Sequence, residues 1–450
     1  MKVDFRSALG KVKPMHATNN GPAVSLSDVE TGNLHPFTSN LYEFKNAGIP
    51  YARVHDSSFC SRYGMEHTVD VAYIFPDFDA DPTDPDNYDF ACTDNYLAAC
   101  ALAETEVFYR LGHRIEHEVK KYGTHPPKDF HKWAVICEHI IRHYTEGWAN
   151  GFHYKMEYWE IWNEPDLRWK SPVPCPTWQG TIEQFCEFYH VAATYLKKCF
   201  PHLKIGGPSL SGNYVWAEIF LSQLKAPLDF FSWHCYGHSI DKIRQWSANT
   251  RALLDKYGFT EAESILNEWN YVQGWHGDDR VYTHEQIFGL KGASFTAAAM
   301  CACQYSSVDM LMYYDARPFT LWNGMFGRIA VGNLLKGYYP FPMFNELYKL
   351  GTAVEATATE EGAYLCAAKG DGEAAILMTH FNNEDSTQEK TFTLELDGLG
   401  DGQETEIEFY LLDETHDNEL VRTETYHGDH LTLALTCPNF TCYLLKLKKK

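Results

Sequence analysis

Short apolar runs alternate with longer amphipathic segments along most of the chain. The runs are rich in β-branched and aromatic residues, and the segments between them carry apolar side chains at helical spacing. Eight strand–helix pairs of this kind predict a parallel (β/α)8 TIM barrel over residues 11–350. The predicted strands are Val12–His16, Tyr51–His55, Glu106–Leu111, Tyr158–Trp162, Leu203–Gly206, Asp229–Trp233, Ser264–Asn267 and Asp309–Tyr314.

The pattern changes after residue 350. Short runs with alternating apolar and polar residues are separated by Gly, Asp and Asn turns, and helical spacing disappears. Residues 351–450 are therefore predicted to form an antiparallel β-sandwich domain, to which residues 1–10 can add a strand. Within the barrel, the insertion after strand two is rich in Asp and Pro from residue 77 to residue 89, which indicates an ordered loop.

Composition and charge narrow the classes of partner. The 450 residues carry a net charge of −22, which would repel nucleic acid and anionic membrane surfaces, so we expect neither as a partner. The 13 cysteines show no CxxC spacing, and the N-terminal residues have no apolar signal region. We expect a cytoplasmic protein unless a signal peptide has been removed, and we expect no metal or cofactor.

Polar residues cluster at the ends of five predicted strands. In a (β/α)8 barrel the chemistry lies at the C-terminal ends of the strands. Clusters that recur in phase with the strand count therefore predict one polar site at one end of the barrel. The candidates are Arg53, His55 and Asp56 after strand two, Asn163 and Glu164 after strand four, His234 and Tyr236 after strand six, Glu268, Trp269 and Asn270 after strand seven, and Asp315 and Arg317 after strand eight.

Two of these clusters carry a glutamate, and strands four and seven would place Glu164 and Glu268 on opposite sides of one barrel mouth. Glycoside hydrolysis needs two such carboxyl groups, one to protonate the leaving oxygen and one to attack. We predict Glu164 as acid/base, held extended by Pro165, and Glu268 as nucleophile, kept ionised by Arg53 and Tyr236. In a retaining enzyme the two carboxyl groups would lie about 5–5.5 Å apart.

The remaining candidates suit the binding of one terminal sugar. Trp269 and Trp275 after strand seven, and Phe78 in the insertion, can stack on a sugar or pack the barrel rim. The loops after strands two, four and seven are long enough to close one end of the mouth. We therefore expect a pocket and exo-action, with the sugar held by His55, Asp56, Asn163, His234, Asn270 and Asp315.

The run Tyr158–Asp166 (Tyr-Trp-Glu-Ile-Trp-Asn-Glu-Pro-Asp) resembles the strand-four motif of clan A glycoside hydrolases, and most closely that of family 39, the β-xylosidases and α-L-iduronidases. Lys13–His16, Arg53–Asp56 and Trp233–Tyr236 also resemble family segments. The resemblance implies a retaining mechanism with Glu164 as acid/base and Glu268 as nucleophile. It leaves a xyloside, glucoside, galactoside or arabinoside as the substrate, because many family β-xylosidases have Thr-Glu-Phe where this chain has Asn267-Glu268-Trp269.

Four other interpretations stay open from the sequence. An endo-acting glycanase of the same clan would need an open cleft, and a non-catalytic carbohydrate-binding barrel would lack one carboxylate. A metal-dependent hydrolase would need further ligands besides His16 on strand one. An interaction protein that uses the sandwich would leave the polar cluster unexplained. We expect an oligosaccharide or glycoside as the partner, and the sequence leaves a homo-oligomer open.

Overall fold

The structure is a computed structural model, and it describes residues 1–24, 26–32, 34–35, 37–58, 67–386, 389–400 and 404–450. Numbered along the chain, the strands are β1 (Lys2–Lys11), β2 (Ala17–Asn19), β3 (Tyr51–Val54), β4 (Glu106–Leu111), β5 (Tyr158–Ile161), β6 (Lys204–Leu210), β7 (Phe230–Gly237), β8 (Glu263–Tyr271), β9 (Met310–Tyr313), β10 (Thr352–Thr357), β11 (Ala363–Lys369), β12 (Glu373–His380), β13 (Glu389–Asp397), β14 (Glu404–Leu412), β15 (Asp417–His427), β16 (His430–Pro438) and β17 (Cys442–Lys449).

The helices lie mainly between the barrel strands. They are α1 (Leu26–Thr31), α2 (Leu41–Asn46), α3 (Val71–Ile74), α4 (Ala91–Leu102), α5 (Phe130–Thr145), α6 (Ile182–Cys199), α7 (Tyr214–Gln223), α8 (Ile240–Lys256), α9 (Gly277–Ile287), α10 (Leu290–Gln304) and α11 (Pro340–Leu350). Two of the long helices start with side-chain caps: a Thr181–Gln184 capping box opens α6, and the Asp129 side chain accepts the Lys132 N–H at the start of α5.

Strands β2 to β9 close a parallel eight-stranded barrel, and the other nine strands form a separate sheet that is mostly antiparallel. The predicted fold class is thus confirmed. The barrel interior is layered because alternate residues of each strand point inward. The lower part of the interior is an apolar cluster of Ala17, Phe108, Tyr158, Phe230, Ile265, Met310 and Met312. Two residues further along their strands, the inward side chains include Asn19, Glu160, Ser232 and Asn267, which begin the polar site.

The first barrel strand is Ala17–Asn19, so the prediction of a strand at Val12–His16 is wrong. The Val12–His16 segment connects the C-terminal sheet to the barrel: the Val12 N–H donates to the Gly351 carbonyl, and Lys13 Nζ donates to the carbonyls of Ser306 and Val308. The true strand is short and buried, and it carries polar residues at its end. It therefore shows none of the apolar alternation that marks the other strands.

The C-terminal strands form one continuous sheet in the order β15-β14-β17-β12-β11-β10-β1-β13-β16. Strand β1 lies between β10 and β13 and pairs in parallel with β13. The inward side chains of the sheet share one core, to which Val3, Leu394 and Leu445 belong. The sequence did not indicate β15, since nearly all of its residues are exposed or half-buried and show no apolar face.

Among the helices of the described ranges, we find none with the length and apolar character needed to cross a membrane.

Candidate active site

Arg53 occupies the centre of the polar layer at the mouth of the barrel. It points inward from β3 and is completely buried. A guanidinium group has five N–H donors, and all five are used here. The acceptors, at 2.7–2.9 Å, are Glu160, Asn19, Glu268, Asn163 and Ser209. One cation on β3 thereby fixes side chains from β2, β5, β6 and β8.

Glu160 is the second buried charge of this layer, and the sequence analysis did not single it out. Its Oε2 accepts the Arg53 Nε at 2.7 Å, and its Oε1 accepts the Ser232 hydroxyl and the Asn267 Nδ2. The signal was available in the sequence: Glu160 lies two residues after Tyr158 on one strand, so both must face the barrel interior. A buried carboxylate with this many partners is a positioning group for Arg53.

Glu268 faces the mouth because the β8 pairing is irregular. The register shifts between Trp233 and His234 toward β7, and between Leu266 and Trp269 toward β9. Such bulges break the strict inward–outward alternation, so the consecutive residues Asn267 and Glu268 both point inward.

Both oxygens of the Glu268 carboxylate accept strong hydrogen bonds. Arg53 Nη1 donates to Oε1 at 2.7 Å and the Tyr236 hydroxyl donates to Oε2 at 2.9 Å. Burial alone would raise the pKa of Glu268. The positive charges of His234, Arg53 and His55 outweigh burial and hold the pKa of this carboxyl below its ordinary value. The surroundings of Glu268 thus favour its ionised form.

The Glu164 side chain has fewer hydrogen-bond partners than that of Glu268, and most hydrogen bonds of the residue involve its backbone. Its side chain meets His234, whose Nδ1 lies 2.8 Å from Oε1. Its N–H donates to the Ser209 carbonyl at 2.8 Å, and its own carbonyl accepts the Thr177 hydroxyl. The φ angle of Glu164 is 47°, so the expectation that Pro165 holds it extended is wrong. The hydrogen bonds on both sides of the residue stabilise this left-handed conformation.

His234 bridges the two glutamates. Its Nδ1 lies 2.8 Å from Glu164 Oε1 and 3.4 Å from Glu268 Oε2, and its Nε2 lies 2.6 Å from the Ser209 hydroxyl. Burial would lower the pKa of His234, but the carboxylates of Glu268 and Glu164 raise it above its ordinary value. One carboxylate oxygen of Glu164, one of Glu268 and one ring nitrogen of His234 all lie within 4.8 Å of one another.

The same three residues could surround a cation, but the chain already supplies positive charge there. Arg53 occupies one oxygen of Glu268, and the raised pKa of His234 favours its protonated form. His16, the histidine of the metal-dependent alternative, lies elsewhere. It is buried against Phe344 and Tyr348, and burial lowers its pKa to about 3.

A charged cluster lies beside Glu268, toward β3 and β9. His55 Nε2 is 3.6 Å from Glu268, and Arg317 lies 3.1 Å from Asp56 and 3.5 Å from Asp315. Burial would raise the pKa of Asp56, but His55 and Arg317 hold it well below its ordinary value. Burial raises the pKa of Asp315 to about 6 against the charge of Arg317. The sequence placed His55 and Asp56 at the end of strand two and Asp315 and Arg317 at the end of strand eight, and the structure brings these four side chains together.

Three predicted binding residues lie in other surroundings. Trp269 is completely buried and packs against Phe295 of α10 and against Tyr313, since it points outward from β8. Asn270 is buried too, and its Nδ2 donates to the carbonyls of Tyr314 and Trp322, so it positions that loop. Phe78 is half-buried, with Lys132 Nζ 5.6 Å from its ring, and lines a groove of about 260 Å³ on the barrel wall.

An aromatic cluster around Tyr236 forms another side of the mouth. The Tyr236 ring contacts Trp275 at 5.4 Å, Trp322 at 5.7 Å and Tyr314 at 6.3 Å. Tyr314 and Trp322 were not predicted, because they lie in a loop after β9 where sequence spacing does not indicate direction. The hydroxyl of Tyr236 links this cluster directly to Glu268.

Replacing Tyr236 by Phe tests whether the cluster tunes Glu268. The change removes one hydrogen bond to a charged carboxylate and leaves the ring packing in place. We expect kcat/KM to fall about 10- to 100-fold. Because the lost bond favours the ionised form, the acid limb of the kcat/KM–pH profile should move to higher pH. An unchanged acid limb in pH-dependent kinetics would contradict this coupling.

Comparison with known proteins agrees with this geometry. Residues 114–261 match the model of glycosyl hydrolases family 39. A β-xylosidase of Geobacillus stearothermophilus is 29% identical over 288 residues, which cover 55% of this chain and 51% of that protein. Residues 114–261 are therefore similar to family 39 glycosyl hydrolases. The chain spans about half the length of this curated relative.

Solved structures show the same fold over the entire chain. A glucosidase from Croceicoccus marinus superposes with a TM-score of 0.76 at 23% identity, covering 100% of this chain and 98% of the other. A monomeric β-xylosidase from Caulobacter crescentus gives 0.70 at 15% identity, with 99% of both chains covered. The family 39 model includes Glu164 but ends before Glu268, so the role of Glu268 depends on the geometry of the site.

Proposed function

We propose that this family 39 homologue is a retaining glycoside hydrolase. The observation that carries the proposal is the close approach of Glu164 and Glu268, with one carboxylate oxygen of each within 4.8 Å of the other. Retaining glycosidases hold their carboxyl groups about 5–5.5 Å apart, whereas inverting enzymes leave about 6.5–9.5 Å for a water molecule. This close approach is nearer to the retaining than to the inverting spacing and supports attack by a carboxylate.

The surroundings of the two glutamates support the following assignment of steps. Glu268, held ionised by Arg53 and Tyr236, attacks the anomeric carbon and forms a glycosyl ester. Glu164 donates a proton to the departing oxygen and then removes one from the water that hydrolyses the ester. His234 contacts both carboxylates, so it couples the charge of one to that of the other. Asn163, held by Arg53 next to Glu164, is placed to contact a sugar hydroxyl.

The charged cluster supports exo-action. Asp56, Arg317 and Asp315 are tied together at the ends of β3 and β9, across the mouth from Glu164 on β5. Ion-paired side chains in that position block a polysaccharide from continuing past the cleaved unit. They also offer carboxylate and guanidinium groups to sugar hydroxyls, and discrimination by such buried polar groups is strong.

A terminal β-xyloside is the first substrate to test, since a curated relative and a structural neighbour are both named β-xylosidases. Glucosides, galactosides and arabinosides follow, and a neighbour is named a glucosidase. A panel of nitrophenyl glycosides ranks these sugars. No turnover of any of them would favour the non-catalytic carbohydrate-binding barrel.

One experiment then tests both stereochemistry and mode of attack. Xylotetraose, or the matching tetrasaccharide of the preferred sugar, is digested in an NMR tube and sampled early. We expect a terminal monosaccharide whose first-formed anomer keeps the configuration of the cleaved bond. Early internal fragments would instead indicate an endo-acting glycanase, and an inverted first anomer would overturn the double displacement.

A further inference from the structure

Ser209, on β6, lies where several contacts of the polar layer meet, and the proposed mechanism does not use it. The residue is completely buried. Its hydroxyl oxygen lies 2.6 Å from His234 Nε2 and 2.9 Å from Arg53 Nη2, with the amide oxygens of Asn163 and Asn267 at 3.2 and 3.4 Å. A hydroxyl group has one hydrogen to donate and two lone pairs to accept with, so these partners use all of its capacity.

The chemistry of the partners fixes the direction of each contact. Arg53 can only donate, so it occupies one lone pair of the Ser209 oxygen. The two amide oxygens can only accept, so the hydroxyl hydrogen belongs to one of them. His234 Nε2, the closest partner, then meets the second lone pair and must supply the hydrogen of that contact.

The charged groups around His234 favour the same arrangement. Glu164 and Glu268 lie 2.8 and 3.4 Å from Nδ1, and Arg53 opposes them from β3. Burial would lower the pKa of His234, but the two carboxylates raise it above its ordinary value. In the protonated ring both nitrogens are donors, so the Nε2 hydrogen needs an acceptor, and Ser209 supplies one. The hydrogen between Nδ1 and Glu164 is then the one that an acid/base has to give.

The backbone holds Ser209 in this position. Its φ angle is 60°, its N–H donates to the Ser232 hydroxyl at 2.9 Å, and its carbonyl accepts the Glu164 N–H at 2.8 Å. Two residues further along the chain, the N–H and the hydroxyl of Ser211 both donate to the buried carboxylate of Asp166. The ends of β5 and β6 are thus joined at two points. Ser209 meets Glu164 through the backbone on one side and through His234 on the other.

We propose that Ser209 is a positioning residue for the acid/base. Its hydroxyl accepts the Nε2 hydrogen of His234, and this keeps Nδ1 directed at Glu164, with which it shares one proton. The assignment rests on the proposed function. A residue that acts in this way affects the transfer of a proton to the leaving oxygen, and it leaves the attack by Glu268 largely unchanged.

The hydrogen on Nε2 can be observed in the wild-type protein. Labelling with 15N-histidine gives ring nitrogen shifts that differ between protonated and unprotonated nitrogens, and His234→Gln identifies the signals of this ring. We expect Nε2 to be protonated at neutral pH. An unprotonated Nε2, which would mean that the Ser209 hydroxyl donates to it, would overturn the proposal. The measurement needs no turnover, so it still decides the proposal if the nitrophenyl panel shows no hydrolysis and the proposed function fails.

Replacing Ser209 by Ala removes the hydroxyl oxygen and keeps the Cβ atom. We expect kcat/KM for xylobiose, or the matching disaccharide of the preferred sugar, to fall about 10- to 50-fold, because its leaving group needs a proton. The same constant for a dinitrophenyl glycoside should change by less than about threefold. The hydroxyl favours the proton-bearing form of the Glu164–His234 pair. Its loss should therefore move the basic limb of the disaccharide pH profile to lower pH by roughly one unit.

Ser264→Ala is the matched control, since it also removes a buried hydroxyl, one that accepts the Trp233 Nε1 hydrogen at 3.0 Å near the start of β8. Its ratio of disaccharide to dinitrophenyl activity and its basic limb should equal those of the wild type. Equal losses of Ser209→Ala on both substrates would mean that Ser209 acts through Arg53 on Glu268, and they would overturn the proposal. An unchanged ratio and an unchanged basic limb would overturn it as well. If Ser209→Ala does not fold, the nitrogen shifts of the wild type decide.

Discussion

Replacing Glu268 by Gln should abolish turnover while the protein stays folded. Removal of a nucleophile from a preorganised site costs on the order of 10⁴-fold or more in kcat. The amide keeps the shape of the side chain, and its oxygen can still accept a hydrogen bond from Arg53 Nη1. The substitution removes a buried negative charge, and Glu160 still neutralises Arg53 at 2.7 Å, so the polar layer should persist. Steady-state kinetics and circular dichroism together check both halves of this expectation.

Glu263→Gln is the matched control. Glu263 starts the same strand, β8, and its carboxylate contacts Lys204 at 2.6 Å, away from the Arg53 network. Its loss should leave activity within about a few-fold of wild type, as is usual for a partly exposed ion pair. Activity of Glu268→Gln close to that of Glu263→Gln would exclude Glu268 as the nucleophile.

A trapped intermediate identifies the nucleophile independently of any variant. A 2-deoxy-2-fluoro glycoside with a good leaving group destabilises the oxocarbenium-like transition states, so the glycosyl ester should accumulate. Peptide mass spectrometry should find the added sugar on Glu268. A label on another carboxylate, Glu160 or Asp315 for example, would mean that the geometry had assigned the wrong residue.

Much of the fold could be predicted because the barrel strands other than β2 are apolar and lie between helical patterns. Strand β2 could not be predicted, because three residues are too few to show a periodicity and the last of them is the polar Asn19. The same reason hides β15, which is solvated on most of its length. Strand β2 pairs with β9, which is distant in sequence, and β15 is an edge strand that pairs with the preceding strand β14, so neither needs an apolar face of its own.

The candidate site also contains residues that could be predicted from the sequence and residues that could not. Glu164 and Glu268 could be found by counting strands, because the ends of parallel strands meet at one mouth. The direction of Trp269 could not, since the bulge in β8 turns Asn267 and Glu268 inward together and leaves Trp269 against α10. Trp322 could not be predicted either, since it lies in a loop whose path depends on hydrogen bonds from the Asn270 side chain to the carbonyls of Tyr314 and Trp322. Strand positions were thus easier to assign than bulges and loops.

Replacing Glu164 by Ala should slow substrates according to their leaving group. General acid catalysis contributes about 10²- to 10⁴-fold, and a poor leaving group such as a sugar needs all of it. Dinitrophenolate leaves without needing a proton. The rate at which a dinitrophenyl glycoside forms the glycosyl ester should therefore be almost unaffected. Hydrolysis of that ester still needs Glu164 to activate water, and the ester should therefore accumulate and limit kcat.

Azide separates this role from a structural one. The cavity left by the Glu164 side chain lies beside His234, where a small anion can attack the glycosyl ester without general-base help. Added azide should raise kcat for the dinitrophenyl glycoside and yield a glycosyl azide of retained configuration. Glu157→Gln, just before β5 and in contact with Lys204 at 3.1 Å, should show no rescue and little loss. Equal losses on activated and unactivated substrates, with no azide product, would remove Glu164 from acid/base catalysis and leave His234 as the group to test next.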